Sequence, residues 1–370
     1  MPQITQISID EIVSLAPLVE VIDDATWNVS PPNAFICAQG FEDRCDAIAR
    51  LLVSRNVRLK SVVLITLNSN SKEDEENGRR IVEMLAPLAT RAPVLINGDD
   101  STFSRQLKDA LGGGEFIEDE ENHILLDISV AANRACIRLL ANCLEFDCQL
   151  TVGYAEAATY HPTSEEFKND ESVWMSEDSL GTEKGVEDIS PSEELPGEHL
   201  EAASNVVVLL PSFRHERSAA IVSHVDPALL MKTSDDVIWI VGRPHLEDDL
   251  WRRDAMRRLN RIADDAKVCE ASTFDYREVW RILESIYNDR WEASNITLSP
   301  LGSKLQAIGV TLFCLRHSDV RVLFSVPQQY NRKQWSHGVR DLWRISFGSG
   351  RSFLSRVRRA GEIRMDGFDV

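Results

Sequence analysis

Short apolar runs and helical apolar repeats alternate along most of this chain. In residues 122–145 the apolar run 124–126 ends at Asp127, a polar turn follows, and apolar residues then recur at helical spacing. This order predicts a strand, a loop and a helix, with the loop at the carboxyl end of the strand. Open α/β sheets bind their ligands at that end, so the loop is a candidate binding element.

The same alternation extends over the first half of the chain. Apolar runs predict strands at 34–38, 62–67, 93–96 and 150–154, in addition to the strand that ends at Asp127. Polar loops and helical patterns separate these runs. Strands that alternate with helices indicate a parallel, doubly wound sheet.

The second half repeats this order at a nearly constant interval of about 170 to 175 residues, which is the mark of a repeated structural unit. The matched pairs include Ser129 with Ser299, Arg134 with Lys304, and Tyr160 with Tyr330. We therefore predict an α/β fold of two tandem Rossmann-like units with mainly parallel sheets, related by internal duplication.

Breaks in the pattern set the predicted domain boundaries. Residues 163–202 are acidic and contain several glycines and prolines, which favours a linker or insertion. The predicted organisation is an N-terminal extension (1–32), Rossmann-like domain 1 (33–162), an acidic linker (163–202), Rossmann-like domain 2 (203–331) and a basic C-terminal tail (332–370).

Composition narrows the class of protein. Of the 370 residues, 43% are hydrophobic and 27% charged, as in ordinary globular domains. No apolar run approaches the roughly 20 residues that span a bilayer, and the N-terminus lacks the basic start and apolar stretch of a secretory signal. Seven cysteines without a C-x-x-C pair indicate reduced thiols and no metal site. We expect a cytoplasmic protein with no membrane contact.

Charge is unevenly distributed. The net charge of −19 disfavours a protein that coats nucleic acid with its whole surface. Residues 332–364 are nevertheless strongly basic, which suggests contact with a polyanion, an acidic protein partner or the protein's own acidic linker. A solvated amphipathic helix explains the same pattern equally well.

The loops after the first and fourth strands of each unit should lie at one sheet edge. They supply hydroxyls, helix-start N–H groups and cationic side chains, which together suit a phosphate. The predicted ligand-binding residues, including the two tyrosines that follow the fifth strands, are Phe41, Glu42, Asp43, Arg44, Ser129, Asn133, Arg134, Tyr160, Arg214, Arg217, Ser299, Gly302, Ser303, Lys304 and Tyr330.

Structural roles for these residues remain open alternatives. Arg44 and Arg217 can pair with neighbouring glutamates, and Ser129 and Ser299 can be helix N-caps. The two tyrosines can belong to the core or its rim. His215 is a candidate acid–base group or a solvated loop residue.

Candidate catalytic sets are sparse. The chain has no Walker A loop, no G-x-G-x-x-G after a strand, no H-E-x-x-H and no G-x-S-x-G elbow, and we expect no cofactor. Asp127 and Glu156 would place two carboxylates at adjacent strand ends, with Glu42 nearby. The second half has Thr297 and Val326 at the matching positions, so such chemistry would belong to the first unit alone.

The fourth-strand units resemble a motif of CARF domains, the CRISPR-associated Rossmann folds, which often read Asn-x-Thr-Gly-Gly-Thr-Lys before an apolar helix. Residues 295–304, Asn-Ile-Thr-Leu-Ser-Pro-Leu-Gly-Ser-Lys, are similar in layout. Residues 127–134 are similar but more diverged, without a glycine and with Arg134 in place of lysine. The resemblance implies a pair of such domains in one chain, somewhat as in SAVED domains, that binds a cyclic oligonucleotide or related nucleotide.

The sequence thus favours a binding protein over an enzyme. Our first hypothesis is a nucleotide-binding sensor or regulatory subunit of a prokaryotic antiviral defence or signalling system, with a separate effector protein. In it the cationic side chains and serines contact phosphates, and Tyr160 and Tyr330 stack on bases. The alternatives are a nucleotide-processing hydrolase or N-glycosidase that uses Asp127, Glu156 and Glu42, and a structural subunit that docks on protein or nucleic acid.

Overall fold

The structure of the protein, a computed structural model, describes residues 8–23, 31–67, 71–169, 171–175, 183–230, 235–331 and 335–360. Within these ranges the chain forms two α/β units, each built on a mainly parallel sheet. The predicted fold class is therefore confirmed. Both sheets belong to one packed body, because a single apolar core includes side chains from each of them.

The first sheet has seven strands among the described residues: β1 (Glu20–Val21), β2 (Ala34–Ala38), β3 (Ser61–Thr66), β4 (Val94–Asn97), β5 (His123–Asp127), β6 (Gln149–Ala155) and β17 (Leu342–Ser349). Their spatial order is β1-β17-β6-β5-β2-β3-β4. Strands β2 to β6 pair in parallel, whereas β17 is antiparallel to β6 and β1 is antiparallel to β17. Every residue of β2 is buried, as parallel strands covered on both faces require.

The second sheet contains β9 (Asp188–Pro191), β10 (Ser204–Leu210), β11 (Val237–Arg243), β12 (Lys267–Ser272), β13 (Ser294–Pro300) and β14 (Arg321–Val326), in the order β12-β11-β10-β13-β14-β9. Strands β10 to β14 are parallel and β9 is antiparallel. The five parallel strands of each sheet follow the Rossmann order 3-2-1-4-5. A shared order is what a duplication would produce, and the duplication itself stays a prediction.

Two antiparallel pairs of short strands flank the sheets. One joins β7 (Thr159–Tyr160) to β16 (Ser336–His337), and the other joins β8 (Glu183–Lys184) to β15 (Gln329–Tyr330). Each pair therefore joins a segment between β6 and β9 to one that follows β14.

The α-helices of the described residues are α1 (Ile9–Ser14), α2 (Ala47–Ser54), α3 (Lys72–Leu85), α4 (Phe103–Leu111), α5 (Gly114–Ile117), α6 (Asn133–Leu144), α7 (Ser164–Asn169), α8 (Glu171–Met175), α9 (His215–Val225), α10 (Trp251–Leu259), α11 (Tyr276–Arg290), α12 (Lys304–Arg316) and α13 (Gly350–Arg359). Local sequence sets several of their ends. Ser71 starts α3 with a capping box to Asp74, and Gly112 ends α4 in the left-handed conformation that favours glycine. None of the helices described is long and apolar enough to cross a membrane.

Helices α6 and α12 join the two units. Residues 135–144 of α6 and 305–314 of α12 are all buried, and both sets contribute to the apolar core that includes strands of both sheets. A helix whose side chains are buried around its whole circumference has to be covered on all sides. The two helices satisfy this requirement by packing against each other as well as against their sheets.

The basic segment predicted as a tail is instead part of the first unit where the structure describes it. Strand β17 extends the first sheet, and α13 buries Phe353, Leu354 and Val357 in the core. The apolar residues occur at helical spacing between the arginines, so this stretch is the amphipathic helix of the alternative explanation, with its apolar face packed in the core.

The arginines of this segment bind acidic residues of the same unit. Arg351 pairs with Glu118 at 2.9 Å, and Arg358 pairs with Glu145 at 2.7 Å. These ion pairs neutralise part of the positive charge of residues 332–364, the charge that suggested a polyanion partner. Arg332, Lys333 and Arg364 lie outside the described residues.

The predicted acidic linker also contains regular structure. Its described residues include α7, α8, β8 and β9, and the buried Arg138 of α6 forms ion pairs with Glu193 and Glu194. These elements were not recognisable in the sequence because they contain few apolar residues. Strand β9 is held by pairing with β14 at the edge of the second sheet, which does not require an apolar run. The domain boundaries themselves stay predictions.

Truncating Phe353 tests whether the C-terminal segment is part of the core. Its ring is buried and packs edge-on against Phe347, with 4.9 Å between centroids. We expect Phe353→Ala to lower the free energy of unfolding in urea by about 3 to 5 kcal/mol. The exposed Arg359→Ala should change it by about 0.5 kcal/mol or less. Equal small effects in both variants would contradict the placement of α13.

Candidate ligand-binding site

A cavity of about 780 Å³ lies between the two units. Its wall includes loops that follow β5 and β6 of the first sheet and β10, β11, β13 and β14 of the second. These are the carboxyl ends of parallel strands, where open α/β sheets bind ligands. The cavity is therefore the candidate site, and both units contribute to it.

Many residues predicted to bind a ligand lie in this wall: Arg44, Asn133, Arg134, Tyr160, Arg217, Gly302, Ser303, Lys304 and Tyr330, together with Glu156 from the candidate catalytic set. The remaining predicted residues are not part of the wall as described: Phe41, Glu42, Asp43, Asp127, Ser129, Arg214 and Ser299. Side-chain direction thus divides the residues of the strand-end loops between the cavity and the interior.

One side chain holds the loops after β5 and β13 together. Asn133 Nδ2 donates hydrogen bonds to the carbonyl oxygens of Pro300 and Gly302, each at 2.9 Å. A Cβ at position 302 would lie 2.3 Å from Gln306 Oε1, so a larger residue there would displace the Gln306 side chain. Gln306 completes a capping box with Ser303 at the start of α12. The floor of the cavity is therefore a contact between the two units.

The two helices at this floor begin differently. Helix α12 is capped by Ser303, whereas the N-cap of α6 is Ala132, which supplies no side-chain hydrogen bond. Residues 132–135 line the cavity. The first N–H groups of α6 are consequently available at the wall, and such groups together with the helix dipole favour an anion.

Lys304 is a cation without an ionic partner. It lines the cavity, and it forms no ion pair or hydrogen bond with any residue that the structure describes. Burial lowers the pKa of Lys304, and the nearby charge of Glu42 offsets this shift only in part. The ammonium also acts on the thiol of Cys136 in the first turn of α6, so it lies near the uncapped helix start.

The arginines of the wall, in contrast, have acidic partners. Arg134 pairs with Asp99 at 3.4 Å, and Arg217 pairs with Glu183 at 2.6 Å rather than with Glu216. Their positive charges are therefore largely balanced by residues of the protein.

Arg44 and Glu42 form the ion pair that the sequence left open. Their side chains are almost fully buried and 2.8 Å apart, and Glu42 also accepts a hydrogen bond from Ser336. Asp43 accepts a hydrogen bond from the backbone of Gly338. This loop thus anchors the segment around β16 instead of offering its carboxylates to the cavity.

Three polar atoms of wall residues have no hydrogen-bond partner within the described chain. They are Glu183 Oε2, Gln306 Nε2 and Ser325 Oγ, all buried. A buried polar atom without a partner costs about 1 to 3 kcal/mol, so such atoms call for water or a ligand. All three are shielded from solvent in this structure, so they are unsatisfied polar groups of the wall itself.

Asp127 and the two predicted N-cap serines have structural roles. Ser129 donates its N–H and Oγ–H to Asp127 Oδ1, and its Oγ accepts from the N–H of Ala155 at 2.7 Å. Ser299 donates to the carbonyl of Leu323 at 2.9 Å. Neither serine caps a helix, because α6 and α12 begin several residues later. The predicted catalytic set is corrected: of its three carboxylates, only Glu156 lines the cavity.

A histidine that the sequence analysis did not select lies beside Glu156. His245, in the loop after β11, places Nε2 3.1 Å from Glu156 Oε1. Trp343 Nε1 donates to the other carboxylate oxygen at 3.0 Å, and the His245 ring packs on Phe274 with 4.4 Å between centroids. Ligands of open α/β sheets bind at the carboxyl ends of the strands, and β11 is one of these strands. A search of the loop after β11 would therefore have included His245.

The two tyrosines occupy different surroundings. Tyr160 OH forms a 2.7 Å hydrogen bond with Tyr154 OH, and the Arg44 guanidinium lies 5.9 Å from the Tyr160 ring centroid. Tyr330 packs edge-on against Trp335, with 5.8 Å between centroids. Aromatic surface therefore borders the cavity on the sides of both units.

Asp127→Asn tests the structural role of Asp127. Burial raises the pKa of Asp127 to about 6, so the folded state binds a proton more tightly than the unfolded chain does. Ionisation of Asp127 therefore costs stability as pH rises from about 4 to 7. Between pH 4.5 and 7.5, we expect the free energy of unfolding of the variant to increase by about 2 kcal/mol relative to wild type. A difference independent of pH, measured by urea titration, would contradict this assignment.

Comparison with known proteins does not show a family. No family model and no curated protein matches the chain. Among solved structures, a Type III CRISPR defence DNA nuclease activated by cyclic oligoadenylate is 11% identical, with a TM-score of 0.44, over 79% of this chain and 65% of that one. This chain thus spans less than two thirds of the nuclease. The cytoplasmic domain of a prokaryotic cation chloride cotransporter is 10% identical, with a TM-score of 0.25, over 82% and 99%.

Proposed function

We propose that this protein binds a phosphate-bearing nucleotide in the cavity between its two units. The observation that carries the proposal is Lys304, a cation at the cavity wall without a carboxylate partner among the described residues. The resemblance of residues 295–304 to CARF domains extends the proposal to a cyclic oligonucleotide. On that reading the protein is a sensor or regulatory subunit in prokaryotic defence or signalling, and a separate effector responds to it.

Lys304 and the start of α6 complement a phosphate. A partly buried ammonium is costly unless an anion compensates it, and the described protein residues supply none in direct contact. The uncapped N–H groups of α6 add hydrogen-bond donors and the positive end of a helix dipole. A bound phosphate would satisfy both requirements at once.

The size and lining of the cavity suit the remainder of a nucleotide. Its volume falls within the roughly 300 to 1,000 Å³ of small-molecule sites. Tyr160, Phe274 and Tyr330 provide aromatic surface on which bases can stack.

The acidity of the whole protein favours a small ligand over a long nucleic acid. With a net charge of −19, the long-range field repels polyanions. Arg344 of β17 and Arg351 of α13 also pair with acidic residues, Glu20 and Glu118. A local cationic site inside a cavity is compatible with this field, because the contact is short and partly shielded from solvent.

Thermal melting against nucleotides tests the proposal. We expect at least one member of a panel of mono-, di- and cyclic oligonucleotides to raise the melting temperature. At 100 times its dissociation constant a ligand stabilises the protein by about 2.7 kcal/mol. Lys304→Met should weaken binding about 10- to 150-fold, the loss of one charge-assisted hydrogen bond.

Two further variants make this test specific. Lys72→Met removes an exposed lysine of α3 outside the cavity and should bind as wild type does. Arg134→Ala, in the first unit, should weaken the same ligand as Lys304→Met if one ligand contacts both units. A panel without any shift would overturn the proposal.

A further inference from the structure

We propose that Glu156 and His245 form a general-base dyad, which activates a water molecule for hydrolysis of a phosphate ester held in this cavity. The inference rests on the proposed function for the presence of the phosphate. It adds a chemical reaction to the proposed binding of a nucleotide. The two residues come from different units, so the dyad exists only when the units are packed together.

The geometry is that of a base and the group that orients it. Glu156 is only 2% exposed, whereas the His245 side chain is 32% exposed, and both line the cavity. The carboxylate binds one ring nitrogen, Nε2, at 3.1 Å. The other, Nδ1, has no hydrogen-bond partner among the residues described. The imidazole is thus fixed at one nitrogen and open at the other.

This arrangement selects the tautomer that a base requires. An ionised carboxylate only accepts hydrogen bonds, so Nε2 carries the proton and Nδ1 of the neutral ring carries the lone pair. Although burial raises the pKa of Glu156, hydrogen bonds from His245 and Trp343 outweigh it and lower the pKa overall. Glu156 therefore stays ionised, and it can stabilise the imidazolium that forms during a reaction.

The His245 ring is also held by its surroundings, and intermediate residues link it to the proposed phosphate contacts. It packs on Phe274, the residue after Thr273, whose carbonyl accepts a 2.6 Å hydrogen bond from Ser303 Oγ. Ser303 directly precedes Lys304. A chain of adjacent residues therefore connects the imidazole to the cation that would bind the phosphate.

The reaction balances with water as the sole co-reactant. Nδ1 of His245 takes a proton from water, and the water oxygen forms a bond to phosphorus. The bond between phosphorus and the ester oxygen breaks, and that oxygen takes the proton back from the imidazolium. Lys304 and the N–H groups of α6 stabilise the charge on the phosphoryl oxygens. The products are a phosphate monoester, or inorganic phosphate, and an alcohol.

The test uses the full chain in excess over each probe. Cyclic di-, tri- and tetra-adenylate, the corresponding guanylates and linear dinucleotides are incubated with wild type, and products are identified by chromatography and mass spectrometry. We expect at least one probe that raises the melting temperature to be hydrolysed. The mass of its product should exceed that of the probe by one water molecule for each ester bond broken. His245→Ala should slow this step by about 100-fold or more, the usual effect of removing a general base.

Three controls separate a catalytic role from a structural one. Added imidazole should restore activity to His245→Ala, which a merely structural histidine would not allow. Glu156→Gln should slow the step while the dissociation constant stays within about threefold, since Glu156 is a positioning residue. His224→Gln, an exposed histidine on α9 outside the cavity wall, should react as wild type does.

Each other outcome overturns the inference. A wild type that is stabilised by a probe but leaves it intact binds without hydrolysis, and the proposed function stands alone. Hydrolysis that persists in His245→Ala, or is lost without rescue by imidazole, removes His245 from the reaction. A wild type that neither binds nor hydrolyses any probe overturns both proposals together.

Discussion

The packing of α6 against α12 is the contact on which the rest of the molecule depends. Each helix follows a fourth strand and is buried around most of its circumference. Neither can remain at the surface of its own unit, because burying apolar area contributes about 25 cal/mol per Å². Their association places the two sheet edges face to face, and Asn133 sets the register of the loops. The cavity is the space left between those edges.

The fold was largely predictable from the sequence, since period and order are local signals. The apolar runs at 34–38 and 62–67 became β2 and β3, and the pattern after Asp127 became α6. The antiparallel strands were not predictable in the same way. Pairing of β9 and β17 with β14 and β6 depends on partners distant in the chain, and acidic or basic neighbours concealed their apolar positions.

The site was predictable as a region and less so as a set of side chains. The strand-end rule located Lys304, Asn133 and Tyr330, but it could not decide which residues turn inward. Ser129 and Ser299 follow the same rule and bond to the interior instead. His245 shows the opposite case, because its role depends on Glu156 of the other unit. A contact between the two units leaves no signal in the local sequence pattern of either unit.

The connections at the two ends of the described chain cross between units. Helix α1 packs on α11, and Tyr276 OH donates to the carbonyl of Pro17, while β17 returns to complete the first sheet. During synthesis the first sheet therefore stays unfinished until the ribosome has released residues beyond 349, after every strand of the second sheet. The unit encoded last should reach its native strand order before the unit encoded first. A nascent chain would meanwhile expose the unpaired β6 edge, where strands of other chains can pair until β17 covers it.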